Sequence, residues 1–464
     1  MKKIQNEIIS WVQRSVDQHL CLAVTGLSRS GKTAFITSLV NQLLSVNHGA
    51  RLPLFTPMRE GRIIGVKRVP QRDLATPSFS YDRGLTQLYG HPATWPTPTQ
   101  GVSKIELVIR YRTQHALKRY LKETSSLRLE IIDYPGEWLL DLPMLGLSYR
   151  QWSAQMRELL TGQRAEWAVA WQAACADLDP KAPADELLLA EIAQRWTDYL
   201  HQCKAEGYHF IQPGRFVLPG EMAGAPALQF FPWPFDDSAV EHNESPDKTS
   251  TYATLKQRYD FYCQHVVKKF YKEYFVKFDR QIVLVDCLQP LNRGANAFND
   301  MRLALTQLMQ SFHYGQRSLI RRLFSPVIDK LLFAATKADH VTSDQHANMV
   351  SLLRQMTQTA WQNAAFEGVN IECLALSSIQ ATTPGVIEHQ QQQVPALRGR
   401  RLPDYQPVSL YPGEVPTQLP TASFWRQQGF HFENFTPLEM DINKPLPHLR
   451  MDNALDFLLG DKLT

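Results

Sequence analysis

Apolar residues recur near helical spacing at Ile4, Ile8, Trp11 and Val16, which predicts an amphipathic helix over residues 3–17 leading into a short apolar strand at 20–25. The loop GLSRSGKT and a helical stretch over 33–46 follow, so the chain opens as strand, glycine loop and helix. Residues 47–103 carry clusters of Pro, Gly, Arg and Thr without a long period and predict an irregular region with short elements. Alternation then marks KIELVIRY (104–111) and RLEII (128–132) as strands. The linker between them is too short for a parallel crossover with its helix, so an antiparallel pair is expected. Helical patterns dominate 137–280, near 150–175, 184–205 and 251–278, with a Pro/Gly/Phe-rich piece at 213–235. Apolar strands at 282–285, 330–335 and 371–376 then alternate with helices near 299–312 and 344–366, the signature of a parallel sheet covered on both faces. From 384 onward the chain is Pro-rich, carries a glutamine run at Gln390–Gln393, and ends on a short helix at 453–459.

Composition narrows this picture. A chain of 464 residues exceeds one compact core and favours two or three folding units. With 20 % charged residues, 44 % hydrophobic residues and a formal charge of +4, it is an ordinary globular chain, and nucleic acid is not an expected partner. Six cysteines are scattered with no CxxC pair and most sit inside apolar runs, which predicts a reducing cytoplasm and no zinc site. Asn6, Glu7 and Ser10 interrupt the N-terminal apolar run, and no stretch approaches the roughly 18 to 20 apolar residues of a membrane span, so neither export nor a transmembrane helix is expected.

The chemistry concentrates in short motifs at strand exits. Gly26, Gly31, Lys32 and Thr33 form GxxxxGK[ST] directly after an apolar strand. In that context the amides of Ser28, Arg29, Ser30, Gly31, Lys32, Thr33 and Ala34 can curl around phosphate, Lys32 can reach the β- and γ-phosphates, and the Thr33 hydroxyl can ligate Mg²⁺. Asp133, in DYPG, can hold the Mg²⁺ shell, with the Gly136 amide meeting a γ-phosphate. TKAD (336–339) follows the strand KLLFAA and selects guanine: Asp339 can accept from N1–H and the 2-amino group, donors that adenine does not present there, while the Lys337 stem lies along the base. After IECLAL, Ser377, Ser378 and Ile379 stand where a backbone amide can meet the guanine carbonyl.

Two departures from the general pattern bear on catalysis. Glu137 stands where a water-orienting glutamine is expected, which predicts slow hydrolysis; its alternative role is a helix-start carboxylate. The first switch lacks a clear threonine signature, and Thr99 is preferred over Thr97 to complete the metal shell and the catalytic set of Lys32, Glu137 and Thr99. Arg59, Arg62, Arg68, Arg72 and Arg83 crowd the segment ahead of it and are candidates for an arginine finger in cis.

GLSRSGKT, IIDYPGEWLLDLP, LPGE and ATKAD together resemble the YcjX-like family of bacterial P-loop proteins along nearly the whole chain. The resemblance implies a GTP-binding, stress-associated protein. The expected fold is α/β: a Ras-like P-loop GTPase core with a mostly parallel sheet and one antiparallel pair, interrupted by a large helical domain. The core is expected at 1–136 and 281–383, with 47–103 as a long first-switch segment, the insertion at 137–280, and a small β appendage packing on the core at 384–464. GTP and GDP are the expected ligands, Mg²⁺ the cofactor, and an unidentified protein the partner of the insertion. The lysine-rimmed aromatic stripe from Tyr259 to Phe278 and the N-terminal helix are the surfaces for an alternative, peripheral contact with the inner membrane; both read more simply as core-facing stripes.

Overall fold

The computed structural model describes residues 18–114, 123–235, 249–311, 328–358, 361–362, 368–389, 391–427 and 431–464; the helix expected over 3–17 lies outside them. In chain order the elements are β1 (Gln18–Gly26), α1 (Lys32–Leu44), β2 (Ile63–Val69), α2 (Tyr81–Leu88), β3 (Ser103–Arg112) and β4 (Thr124–Asp133). After 3₁₀ turns over Gly136–Gly146 come α3 (Tyr149–Glu158), α4 (Gln163–Cys175), α5 (Glu186–Ala205) and α6 (Thr251–Phe261). Then follow β5 (Arg280–Val285), α7 (Ala295–Ser311), β6 (Lys330–Ala335), α8 (His346–Met356), β7 (Asn370–Ala375), β8 (Thr382–His389), β9 (Gln392–Arg400), β10 (Pro407–Leu410) and α9 (Met451–Leu459).

The fold is α/β. Its seven-stranded sheet runs β2-β3-β4-β1-β5-β6-β7, with β4, β1, β5, β6 and β7 mutually parallel. The expected antiparallel pair is β3 with β4, from Ser103 opposite Asp133 to Arg112 opposite Thr124. A further antiparallel strand, β2, extends it at the edge. That strand was hidden in an irregular region because an edge strand carrying Lys67 and Arg68 is only half-buried and shows no clean alternation. The central strands β1 and β5 are continuous apolar runs because both their faces are covered.

Two compact units divide the chain: Met1–Tyr134 with Phe278–Ala295 and Pro326–Thr464, and Pro135–Lys277 with Asn296–Ser325. The second unit therefore takes in more of the chain than the expected insertion at 137–280. The helix α7, read as part of the core alternation, falls almost wholly in the second unit. The segment from 384 belongs to the first: β8, β9 and β10 form a separate antiparallel sheet, while Leu455, Leu458, Leu459 and Leu463 share one apolar cluster with Leu22 and Val24 of β1 and Phe35 and Leu39 of α1. Arg280 of β5 is fully buried beneath them, its guanidinium pairing with Asp461 at 2.6 Å and Asp329 at 2.9 Å.

The second unit is built on aromatic packing. Trp152 stacks on Tyr259 with ring centres 5.2 Å apart, Phe230 abuts both, and Trp171 meets Trp196 at 4.8 Å. Tyr259, Tyr262, Val266 and Phe270 are buried, so the aromatic stripe is core. Capping defines the helix starts: Ser148 and Gln151 form a capping box on α3, and the Asp185 carboxylate accepts from the Leu187 and Leu188 amides on α5. Among the described residues no helix is long and apolar enough to cross a membrane.

Candidate functional site

Parallel strands bring their carboxyl ends to one edge, and register aligns the motifs there. Val24 pairs with Asp133, Gly26 with Leu284, Val285 with Ala335, and Ala335 with Ala375, so the P-loop, the aspartate of DYPG, TKAD and the Ser377 loop all leave the same edge.

The P-loop turns tightly between β1 and α1. A Cβ at Gly26 would lie 2.5 Å from the Leu284 carbonyl oxygen, so only glycine fits. Gly31 takes φ 85° and Arg29 φ 62°, the alternation of hand that points successive amides into one concavity. Lys32 donates to the Gly26 carbonyl at 3.0 Å, folding its ammonium across the loop.

Beside it three oxygens converge. The Thr33 and Thr99 hydroxyls are 3.2 Å apart, and Thr99 donates to Asp133 Oδ2 at 2.5 Å. Thr97 is held elsewhere, exchanging bonds with Gln87 of α2. Asp133 is 2 % exposed, and among the described residues its Oδ1 has no partner in hydrogen-bonding geometry. Burial pushes its carboxyl up to about 6, against the opposing pull of the Thr99 hydroxyl and the Lys32 charge. Two hydroxyls and a carboxylate with an unmet buried oxygen form a hard-oxygen donor set that fits Mg²⁺.

The TKAD turn is built from three strand exits. Lys337 adopts φ 59° and pairs with Asp286 at 2.6 Å. Burial would raise the Asp286 carboxyl, but the Lys337 charge and hydrogen bond more than offset this and hold it below its ordinary range. Asp286 also caps the following turn, accepting from the Leu288 and Gln289 amides. Asp339, 4 % exposed, accepts from the Ala381 amide at 2.6 Å and the Thr382 amide at 3.3 Å through Oδ2. His346 Nε2 donates to the Ala338 carbonyl at 2.7 Å and steadies the turn.

The remaining expected residues are placed as follows. The Ser377 amide donates to Leu449 and its hydroxyl to the Ile379 carbonyl, so this residue closes its own loop. Ser378 and Ile379 are buried beside it. Gly136 and Glu137 belong to the second unit, where Glu137 pairs with Lys204 at 2.8 Å. Of the candidate finger arginines, Arg62 is buried against Glu60 and the Leu463 carbonyl, and Arg68 pairs with Asp82. Sequence reasoning missed Asp286; its signal was an aspartate at the exit of IVLV, the place where open α/β sheets gather ligand-binding side chains.

The sequence profile of the YcjX-like family (DUF463) matches residues 20–463. The chain belongs to the YcjX-like family. Two relatives of this YcjX-like protein match across its full length. It is 65 % identical to the "Ras-like GTPase YcjX" of Escherichia coli (strain K12), covering all of both chains. It is 44 % identical to the "Ras-like GTPase YcjX" of Shewanella oneidensis (strain MR-1), covering all of this chain and 98 % of that one.

Proposed function

We propose that this YcjX-like protein is a GTPase: it binds GTP and GDP with Mg²⁺, hydrolyses GTP slowly to GDP and phosphate, and acts as a regulatory, stress-associated protein of the cytoplasm. The reading is carried by the convergence of four nucleotide motifs on one sheet edge with an unmet buried Asp133 oxygen among them. The two relatives named Ras-like GTPases, aligned over their whole lengths, support it.

In this mechanism Lys32 leaves the Gly26 carbonyl for the β- and γ-phosphates, and the amides of 28–34 surround the phosphate chain. Thr33, Thr99 and Asp133 would hold Mg²⁺, which when bound neutralises charge on the phosphate oxygens. Asp339 gives up its bonds to the Ala381 and Thr382 amides to accept from the guanine N1–H and 2-amino group, and Asp286 fixes the Lys337 stem that flanks the base. Gly136 senses the γ-phosphate, and the helical unit that begins beside it passes the nucleotide state to a protein partner.

One observation favours a second reading, a nucleotide-stabilised scaffold, at the membrane surface or in solution, with incidental turnover: the carboxylate of Glu137, in the water-orienting position, is engaged with Lys204. Titration with labelled GDP, GTP and ATP in Mg²⁺, beside Asp339→Asn, tests the main reading. Guanine binding that Asp339→Asn moves toward xanthine supports it; equal ATP binding overturns it. Phosphate release that stays negligible with a partner present selects the scaffold.

A further inference from the structure

A groove opens on the three-stranded sheet. Its main part, about 400 Å³, is walled on one side by β8, β9 and β10 and on the other by residues 436–439. A second part of about 250 Å³ continues it through the shared Arg400, Thr436, Pro437 and Glu439 to Pro92, Ala93 and Tyr405.

The sheet wall is unusual in its charge. Unbroken register places Thr383, Arg398 and Ser409 in one cross-strand row, with Arg400 and Pro407 in the next on the same face. Arg398 and Arg400 are both exposed, and among the described residues neither makes an ion pair, whereas their neighbour Arg401 pairs with Asp404. The opposite wall is pinned by backbone bonds from Thr436 to the Arg400 carbonyl and from Leu438 to the Gln380 carbonyl. It presents Pro437 and Leu438, with Glu439 at the rim.

We propose that this groove binds an extended segment of a partner protein in which acidic and apolar residues alternate. Two arginines at positions i and i+2 of a strand stand about 7 Å apart, the spacing of successive same-side residues in an extended peptide. Its acidic side chains meet Arg398 and Arg400, and the residues between them turn to Pro437 and Leu438. Two joined cavities form a channel rather than a closed pocket, which suits a chain passing through. The occupant is coupled to the rest of the unit at both ends. Ala381 lines the groove and its amide holds Asp339, while Pro92 and Ala93 precede Trp95, whose indole is fixed to the Phe435 carbonyl four residues before Thr99.

The test is fluorescence anisotropy of a labelled alternating Val–Glu peptide with the full-length protein, against an alternating Val–Gln peptide and tripolyphosphate. Wild type is expected to bind Val–Glu, with affinity lowered about tenfold or more in Arg398→Glu/Arg400→Glu and raised in Glu439→Lys. No binding of Val–Glu, equal binding of Val–Gln, or an affinity unmoved by the double arginine variant would overturn the proposal. Displacement by tripolyphosphate at matched charge would instead mark a small-anion site and also overturn it. Unfolding and guanine-nucleotide titrations of the same variants control for folding; failure of the GTPase reading would remove nucleotide binding from wild type and variants alike, leaving the peptide result separate.

Discussion

Asp133 and Asp141 are close in sequence and equally buried, yet they belong to different units and serve them differently. At the sheet edge, Asp133 keeps one oxygen without a partner beside two hydroxyls. Inside the helical unit, Asp141 is satisfied on both sides, by the Gly214 amide at 2.7 Å and the Tyr262 hydroxyl at 2.5 Å. Asp300 repeats the second pattern: Arg164 pairs with one oxygen at 2.5 Å, and the His209 and Phe210 amides bond to the other. Of these three buried carboxylates, the two whose bonds are complete hold the helical unit together, while Asp133 keeps an oxygen available.

The largest test of this contrast removes a satisfied charge. Arg164→Ala strands Asp300 in the aromatic core and is expected to cost about 3–5 kcal/mol, read by urea unfolding followed through tryptophan fluorescence. Asp141→Ala leaves the Gly214 amide and the Tyr262 hydroxyl unpaired and should cost about 3 kcal/mol by the same assay. Asp133→Ala removes a buried carboxylate with an unmet oxygen, so the ligand-free variant should be at least as stable as wild type at pH 7. It should nevertheless abolish the roughly 2.7 kcal/mol that GTP and Mg²⁺ add to wild type at a hundredfold excess over Kd. A loss of ligand-free stability matching that of Asp141→Ala would erase the distinction.

Burial raises both carboxyls, so the pH response tests the contribution of Asp141 to its own unit. Burial raises the Asp141 carboxyl from an ordinary 3.8 to about 7, with the Tyr262 hydroxyl and the Gly214 amide and the charge of Arg215 opposing the rise. The folded state thus prefers the protonated form: this stabilising contribution is full below about pH 4 and disappears as pH rises to about 7. Asp141→Asn should flatten that slope in a pH series of unfolding curves. The smallest expected effect is the difference between two threonines. Thr99→Ala should weaken Mg²⁺-dependent GTP binding about tenfold, whereas Thr97→Ala, which removes only an exposed contact with Gln87, should leave it within twofold.

What could be read from the residues follows from how local each signal is. GLSRSGKT and TKAD were legible because loop chemistry and the preceding apolar strand lie within a few residues of each other. Thr99 and Thr97 could not be separated by distance along the chain; their different partners, Asp133 and Gln87, come from tertiary placement. Asp286 carried no motif of fixed spacing, and its pairing with Lys337 comes from a neighbouring strand. Alternation identified α7 as a helix but not the unit it packs with, because an apolar stripe records burial and not the identity of the covering surface. The same ambiguity made residues 451–463 look peripheral, although Leu455 and Leu458 are among the most buried side chains of the first unit.

That late contribution has a consequence for biosynthesis. The Arg280 guanidinium finds two of its partners, the Leu458 carbonyl and Asp461, only when the last helical turn is in place. A nascent chain therefore holds β1, α1 and β5 with an open apolar floor and a half-paired cation until residues 455–463 have been made. The first unit is thus closed by a segment that follows its strands in the chain, and until that segment docks, the apolar floor beside β1 and β5 stays open.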